Sequence, residues 1–343
     1  LEIVDPVTGF SIPGSWIGKA GDEEEVLNKI RTGEYVLLSN GRMLRRGRTT
    51  GTTAAAACKG AIISLCRDVD SVEVPTPCGL RVTVAVKGRD GSCSAVKDGG
   101  EHERDLTNGL EILAHAKIGD TELVAGEGIG AIGRTGLCAP CGKPAISRSA
   151  REQIMSAIAE GLKEAALKGA RVLLTVPKGK EAASLTLNPK VGVHGGISIL
   201  GSTGFVEPWN EHLTDHAALE SAVNGKVILT TGRIGLRYSR MLFPDHAAVL
   251  IGSKLDRLSP RMEQESVLCG LPGLILKWAD PDILKGTGFA TVAEMMESSP
   301  SHKAIDDAMQ KAGERLPWTR IVLIDRDGRI VRDSKPREAS RKR

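Results

Sequence analysis

Apolar residues change their spacing along this chain, and each change predicts a different element. Between residues 72 and 133 they recur at every second position. Val72-Glu73-Val74 and Leu80-Arg81-Val82-Thr83-Val84-Ala85-Val86 flank Pro75-Thr76-Pro77-Cys78-Gly79 and predict a β-hairpin. Ile112, Ala114, Ala116 and Ile118 alternate with polar residues and predict another strand. Ahead of these, Ala54-Ala55-Ala56-Ala57-Cys58-Lys59-Gly60-Ala61-Ile62-Ile63-Ser64-Leu65 is small or apolar almost throughout. It predicts a helix capped by Thr52 or Thr53, whose alanines let it approach another element closely. A second helix is predicted from Ser147 or Ser149 to about Lys168, with Ile154, Ile158, Leu162 and Ala166 on one face. A strand over residues 172–176 follows and ends at Pro177.

Past residue 226 the pattern becomes strand, glycine turn, helix, strand. Lys226-Val227-Ile228-Leu229-Thr230-Thr231 reads as a buried strand and Gly232-Arg233-Ile234-Gly235 as a turn. A short helix is predicted over 236–242 and a strand over 247–251. Later strands are expected at Leu274-Ile275-Leu276 and Ile321-Val322-Leu323-Ile324, separated by helices near 290–297 and 302–313. Such a succession is a parallel βαβ unit, with its ligand crevice at the strand C-termini. The expected architecture is an α+β N-terminal domain with antiparallel strands and packed helices, followed by a smaller α/β Rossmann-like domain. The corresponding division is a lead-in (1–43), an α+β domain (44–218), an α/β domain (219–334) and a basic tail (335–343). Within the lead-in, acidic Asp22-Glu23-Glu24-Glu25 predicts a helix start, and Tyr35-Val36-Leu37-Leu38-Ser39 a strand ending at the Asn40-Gly41 turn.

Composition narrows the classes of function. A chain of 343 residues is long enough for two cores, and 41% hydrophobic with 26% charged residues is ordinary for a globular protein. No apolar run of about twenty residues is present, so no membrane span is expected. The opening Leu1-Glu2-Ile3-Val4-Asp5 lacks the features of a secretory signal, so the expected location is the cytoplasm. A net charge of +4 and 3% aromatics argue against a nucleic-acid partner. Seven scattered cysteines form no disulfide framework. Cys138-Ala139-Pro140-Cys141 has metal-ligand spacing but no second pair, so no protein metal site is expected.

Four segments carry candidate chemistry. Arg45-Arg46-Gly47-Arg48-Thr49-Thr50-Gly51-Thr52-Thr53 places guanidinium groups and hydroxyls before a helix N-terminus, an arrangement that suits anions; it also suits a solvated basic loop. The stretch from Asn188 to Trp209 holds Gly192, Gly195, Gly196, Gly201 and Gly204 among serine and threonine hydroxyls. Its glycines permit close backbone approach to a ligand, or simply tight turns between elements. Ala95-Val96-Lys97-Asp98-Gly99-Gly100-Glu101-His102 sets a carboxylate beside a lysine. Gly128-Ile129-Gly130-Ala131-Ile132-Gly133 satisfies G-x-G-x-x-G, but Arg134-Thr135-Gly136-Leu137-Cys138-Ala139-Pro140 cannot open the helix a dinucleotide turn requires.

These segments together resemble the cobalt-precorrin-5B C(1)-methyltransferases of anaerobic cobalamin biosynthesis. Arg46-Gly47-Arg48-Thr49-Thr50-Gly51-Thr52 is similar to that family's R-x-G-x-T-T-G-T, with Arg48 where an aromatic residue is common. The 95–109 segment resembles its K-D-x-G-D-D-x-D-x-T-x-G loop, with Glu101 and His102 in place of aspartates. Gly126-Glu127-Gly128-Ile129-Gly130 resembles G-G-E-G-x-G, with Ala125 replacing one glycine. Gly195-Gly196-Ile197-Ser198-Ile199-Leu200-Gly201-Ser202-Thr203-Gly204-Phe205-Val206-Glu207-Pro208 resembles G-G-I-S-I-L-G-x-T-G-x-V-E-P. Gly232 and Gly235 align with T-P-G-x-x-G, Thr231 replacing the proline.

The resemblance implies methyl transfer from S-adenosylmethionine to carbon 1 of cobalt-precorrin-5B, giving cobalt-precorrin-6A, with cobalt present only in the substrate. It implies that Arg45, Arg46, Thr49, Thr50, Thr52 and Lys97 bind the carboxylate-rich tetrapyrrole. Gly195, Gly196, Ser202, Thr203, Gly204 and Gly232 would approach the methyl donor, and Asp98 or Glu207 would assist proton movement. A homo-oligomer is compatible with the sequence. The other readings are a non-catalytic tetrapyrrole carrier and a nicotinamide-dependent reductase. A carrier needs no sulfonium site; a reductase needs a complete glycine fingerprint and an acidic ribose partner after the 227–230 strand.

Overall fold

The structure is a computed structural model; it describes residues 3–102, 105–133, 141–186, 188–209, 226–253, 255–257 and 266–334. The expected basic tail lies outside the described residues. The architecture is mixed α/β, with several sheets. The chain divides into two compact units, residues 27–36 with 44–210, and residues 1–26 with 37–43 and 211–343. The expected lead-in is therefore shared between the two. Arg46 N–H donates to Glu34 O at 2.7 Å, binding 27–36 into the first unit. Ser39 N–H donates to Met241 O at 2.9 Å, and Phe10 stacks on Tyr238 with ring centroids 5.6 Å apart, binding the remainder into the second.

The first unit is built on a six-stranded sheet. Its strands are β1 (Val69–Pro75), β2 (Arg81–Arg89), β3 (Ser92–Val96), β4 (Glu111–Ile118), β5 (Glu122–Ala125) and β6 (Ala170–Thr175). Their order is β5-β6-β4-β3-β2-β1, antiparallel except for the β5–β6 pair. Alternation in β2 is complete: Val82, Val84 and Val86 face the core while Arg81, Thr83, Ala85 and Lys87 face out. Ile118, expected inward, ends β4 and is 71% exposed.

Helix α1 (Thr50–Ile63) lies across this sheet, and α2 (Arg148–Glu164) packs on α1. Every residue of α1 is buried, as a helix covered on all sides must be, which accounts for its alanines. Its cap is Thr49, earlier than expected: the Thr49 backbone is extended (φ −70°, ψ 163°) and its Oγ1 accepts from Thr52 N–H at 3.2 Å. Thr53 instead bonds back to Thr49 O at 3.0 Å. The buried Lys59 emerges from α1 to donate to Glu73 O at 2.8 Å and Glu160 Oε2 at 2.9 Å, which Arg81 also clasps from β2. Ser147 caps α2 through Ala150 N–H, and α2 stops at Glu164, short of Lys168.

The second unit holds β7 (Val227–Thr230), α3 (Arg233–Leu242), β8 (Ala247–Leu250), β9 (Ser266–Gly270) and α4 (Pro272–Ala279). These are followed by α5 (Val292–Ser298), α6 (Lys303–Arg315), β10 (Thr319–Ile324) and β11 (Ile330–Asp333). The strand order is β8-β7-β9-β10-β11; all neighbours are parallel except β10 with β11. Val227, Leu229, Leu268, Ile321 and Leu323 pack on one face with Ile275, Leu276, Ala279, Ile305 and Ala308 of α4 and α6. The strand expected at Leu274-Ile275-Leu276 is a helical turn of α4. Pro272 occupies the first helical position, where its fixed φ and missing N–H favour a helix start, and the strand is β9 just before it. Among the described residues no helix is long and apolar enough to cross a membrane.

Candidate functional site

The arginine- and threonine-rich loop and the glycine-rich stretch meet within the six-stranded unit. Residues 47–48 pair antiparallel with residues 205–206, Arg48 opposite Phe205 and Gly47 opposite Val206. Thr50 Oγ1 accepts from Leu200 N–H at 2.8 Å and donates to Ser198 O at 3.2 Å. Thr49 N–H and Thr52 Oγ1 both donate to Gly204 O, at 3.0 and 2.8 Å. Arg46 Nε donates to Glu207 Oε2 at 3.1 Å, and its Nη1 donates to Gly33 O and Tyr35 O at 3.1 and 3.0 Å.

The lysine–aspartate loop joins them from a third direction. Arg45 grips Asp98 with both nitrogens, Nη1–Oδ2 at 2.5 Å and Nη2–Oδ1 at 3.0 Å. Arg48 N–H donates to Asp98 O at 2.8 Å, and a methyl group on Gly47 would lie 2.4 Å from Gly99 C. The Arg45 hydrogen bonds hold the Asp98 carboxyl below its ordinary range against some burial, so it is an acceptor at neutral pH. Lys97 is buried and its Nζ contacts Asp105 Oδ2 at 2.5 Å and Asp98 O at 3.3 Å. Burial pushes the Asp105 carboxyl up, but the Lys97 charge and hydrogen bond outweigh it and hold it low.

The residues singled out in the sequence thus separate by environment. Arg46 is 2% exposed, and Thr49, Thr50, Thr52 and Lys97 are also buried, so they join segments to one another. Arg45 keeps its side chain 40% exposed and Asp98 32%, forming the accessible part of the cluster. Two members gave little signal in the sequence. Arg48 occupies the position of a common aromatic yet bonds Glu34 at 2.7 Å, and Glu34 lies in the separate 27–36 segment. Glu101 accepts from Arg45 N–H.

The glycines separate in the same way. A methyl group on Gly196 would lie 2.2 Å from Gly128 O, and one on Gly204 2.7 Å from Thr76 Cβ; both are packing positions. Gly128 pairs with Gly196 and Ile129 with Ile197, while Ala131 and Ile132 pair with His194 and Val193, so G-x-G-x-x-G here is a zipped pair of short strands. Thr203 Oγ1 is engaged by Phe205 N–H and O, both at 3.2 Å. Gly195, at φ +78°, and Ser202 are exposed, with open space about Gly195. In the other unit Gly232 precedes α3 and also faces open space. Cys138 to Pro140 lie outside the described residues, and among those described no group of three or more His, Cys, Asp or Glu side chains is placed to hold a metal ion.

A mixed α/β chain with these interlocked motifs has defined relatives. A family model described as CbiD matches residues 38–208, and the chain belongs to the CbiD family. It is 48% identical over 342 residues to the cobalt-precorrin-5B C(1)-methyltransferase of Methanococcoides burtonii, covering 98% of this chain and 100% of that one. To the protein of the same name in Methanosarcina acetivorans it is 47% identical, covering 97% and 99%. A crystal structure described as cobalamin biosynthesis protein (cbiD) from Archaeoglobus fulgidus matches with TM-score 0.57 and 33% identity, over 94% of this chain and 100% of that one.

Proposed function

We propose that this chain methylates carbon 1 of cobalt-precorrin-5B to give cobalt-precorrin-6A in anaerobic cobalamin biosynthesis, with S-adenosylmethionine as donor. The observation that carries this reading is the meeting of residues 45–52, 97–100 and 196–207, the segments that bear the family motifs, in one place. Kinship with methyltransferases of that name over nearly the whole length supports it.

S-adenosylmethionine supplies, when bound, a methyl group already activated by positive sulfur. The accepting ring carbon is itself nucleophilic, so the protein's part is alignment and exclusion of water. Arg45 presents an accessible guanidinium to the carboxylates fringing the macrocycle. Arg46, Thr49, Thr50, Thr52 and Lys97 position that loop from beneath. Asp98, held ionised by Arg45, and Glu207, held by Arg46, are the groups able to take up a proton from the methylated ring. For the donor, Gly232 keeps the open backbone that a ligand needs, whereas Gly196, Thr203 and Gly204 serve by shaping turns of the six-stranded unit. The five-stranded unit is read as a Rossmann-like domain on its parallel strand order. The protein works in the cytoplasm on a free tetrapyrrole, without nucleic acid or membrane, and is open to homo-oligomer formation.

The test is incubation with cobalt-precorrin-5B and S-adenosylmethionine labelled in its methyl group. Label at carbon 1 of the product is expected. A ring that binds tightly and leaves unlabelled would identify a carrier and end this reading.

A further inference from the structure

The six-stranded unit uses most of its glycines for packing, but each of two strand-to-helix turns in the five-stranded unit has a glycine, Gly232 or Gly273, that faces open space among the described residues. After β7 the chain leads through α3 to β8 on one side of β7, then returns past β7 to β9 on its other side. The strand order reverses there, and α3 and α4 start from neighbouring strand ends on opposite faces of the sheet. Alternation shows the faces: Val227 and Leu229 pack with α4, while Thr230 lies under α3, its Oγ1 2.2 Å from where a methyl on Gly235 would stand. Thr231 Oγ1 lies beside Gly270, 2.5 Å from where a methyl group on that glycine would be, so the two turns adjoin. In open parallel sheets such a reversal leaves a crevice at the strand C-termini.

Three independent features equip this crevice for a ligand. Neither α3 nor α4 has a side-chain cap at its start, which leaves the first N–H groups of α3, and those of α4 that follow Pro272, available to an anion. Gly232 and Gly273, one at each turn, have open space where a side chain would be. The Thr230 hydroxyl is fully buried beneath the first turn of α3, with no hydrogen-bond partner among the described residues. Gly235 has the opposite duty, giving the helix room to lie over Thr230.

We propose that the methyl donor binds here, with the carboxylate of its amino-acid end at the start of α3 and its body passing over Gly232 towards Gly270 and Gly273. This placement rests on the methyltransferase reading and assigns the donor to the five-stranded unit instead of to the 195–204 turn.

The test uses S-adenosylhomocysteine, which cannot transfer a methyl group, and isothermal calorimetry on the full chain. Gly232 has an extended backbone (φ −165°) and empty surroundings, so Gly232→Leu is accommodated by the fold, and an unchanged melting temperature checks this. The dissociation constant is expected to rise about tenfold or more in Gly232→Leu and also in Gly273→Leu. Gly313→Ala, an equally open glycine in α6, leaves it unchanged. Equal affinity in wild type and both leucine variants overturns the placement while the labelled-methyl reaction still stands. A wild-type chain that neither binds S-adenosylhomocysteine nor methylates the ring removes both.

Discussion

In the six-stranded unit Gly128, Gly179 and Gly196 press their backbones together; in the five-stranded unit Gly232 and Gly273 border open space. A methyl group on Gly128 would lie 1.8 Å from Val176 O, and one on Gly179 2.1 Å from Gly128 O. Gly128 belongs to the short pair with Gly196, and Val176 O accepts from Gly179 N–H at 2.7 Å, so neither carbonyl can move that far without breaking the contacts it makes. The same residue type therefore holds one unit together and leaves a surface clear in the other. A glycine motif identifies a ligand site only after its surroundings are known.

The comparison is most sharply broken or upheld by substituting alanine. Gly128→Ala combines the left-handed backbone at φ +78° with the clash on Val176 O. It is expected to cost about 4–6 kcal/mol in urea unfolding, or to yield no folded protein. Arg46→Met tests the other means of closure in that unit. It takes the guanidinium away from the Glu207 carboxylate and from two carbonyls, for an expected loss of about 3 kcal/mol, against little change for neighbouring Arg45→Gln. Arg45→Gln should act on substrate instead, raising KM for the tetrapyrrole about tenfold with kcat changed less. Gly195→Ala pays only for its φ of +78°, about 1–2 kcal/mol. Gly232→Ala, with neither strain nor clash, should stay within about 0.5 kcal/mol.

Acid sensitivity adds a test of the α1–α2–β2 junction. Hydrogen bonding from Arg81, and then Lys59, holds the Glu160 carboxyl down at about 2 from an ordinary 4.5. A depressed folded value means stability that is complete above pH 4.5 and is lost as pH falls from there towards about 2. Glu160→Gln should make acid unfolding shallower in that window while lowering stability at neutral pH. An unchanged acid limb would show that the Arg81 clasp contributes nothing.

Much of this was legible in the chain. Period-two alternation gave β1, β2 and β4, and the all-small run gave α1, because burial imposes those patterns directly. The T-T-G-x-x-G turn could be placed between β7 and a helix. Leu274-Ile275-Leu276 could not be read, since a three-residue apolar run has no period and Pro272 alone marks the helix. Within the site, Arg45 and Arg46 are neighbours of the same type with opposite fates, one accessible and one sealed on Glu207, Gly33 and Tyr35. That difference depends on Glu207, 161 positions away, and on two carbonyls 13 and 11 positions before Arg46. Gly196 and Gly195 differ for the same reason, as Gly128 covers one and, among the described residues, nothing covers the other.

The account turns on where the donor lies, and photolabelling tests this most directly. An S-adenosylhomocysteine analogue with an azide on its adenine ring, irradiated with the full chain and followed by peptide mapping, should mark peptides between residues 226 and 279 and lose that mark in Gly232→Leu. Label concentrated on residues 188–209, and unaffected by Gly232→Leu, would contradict it.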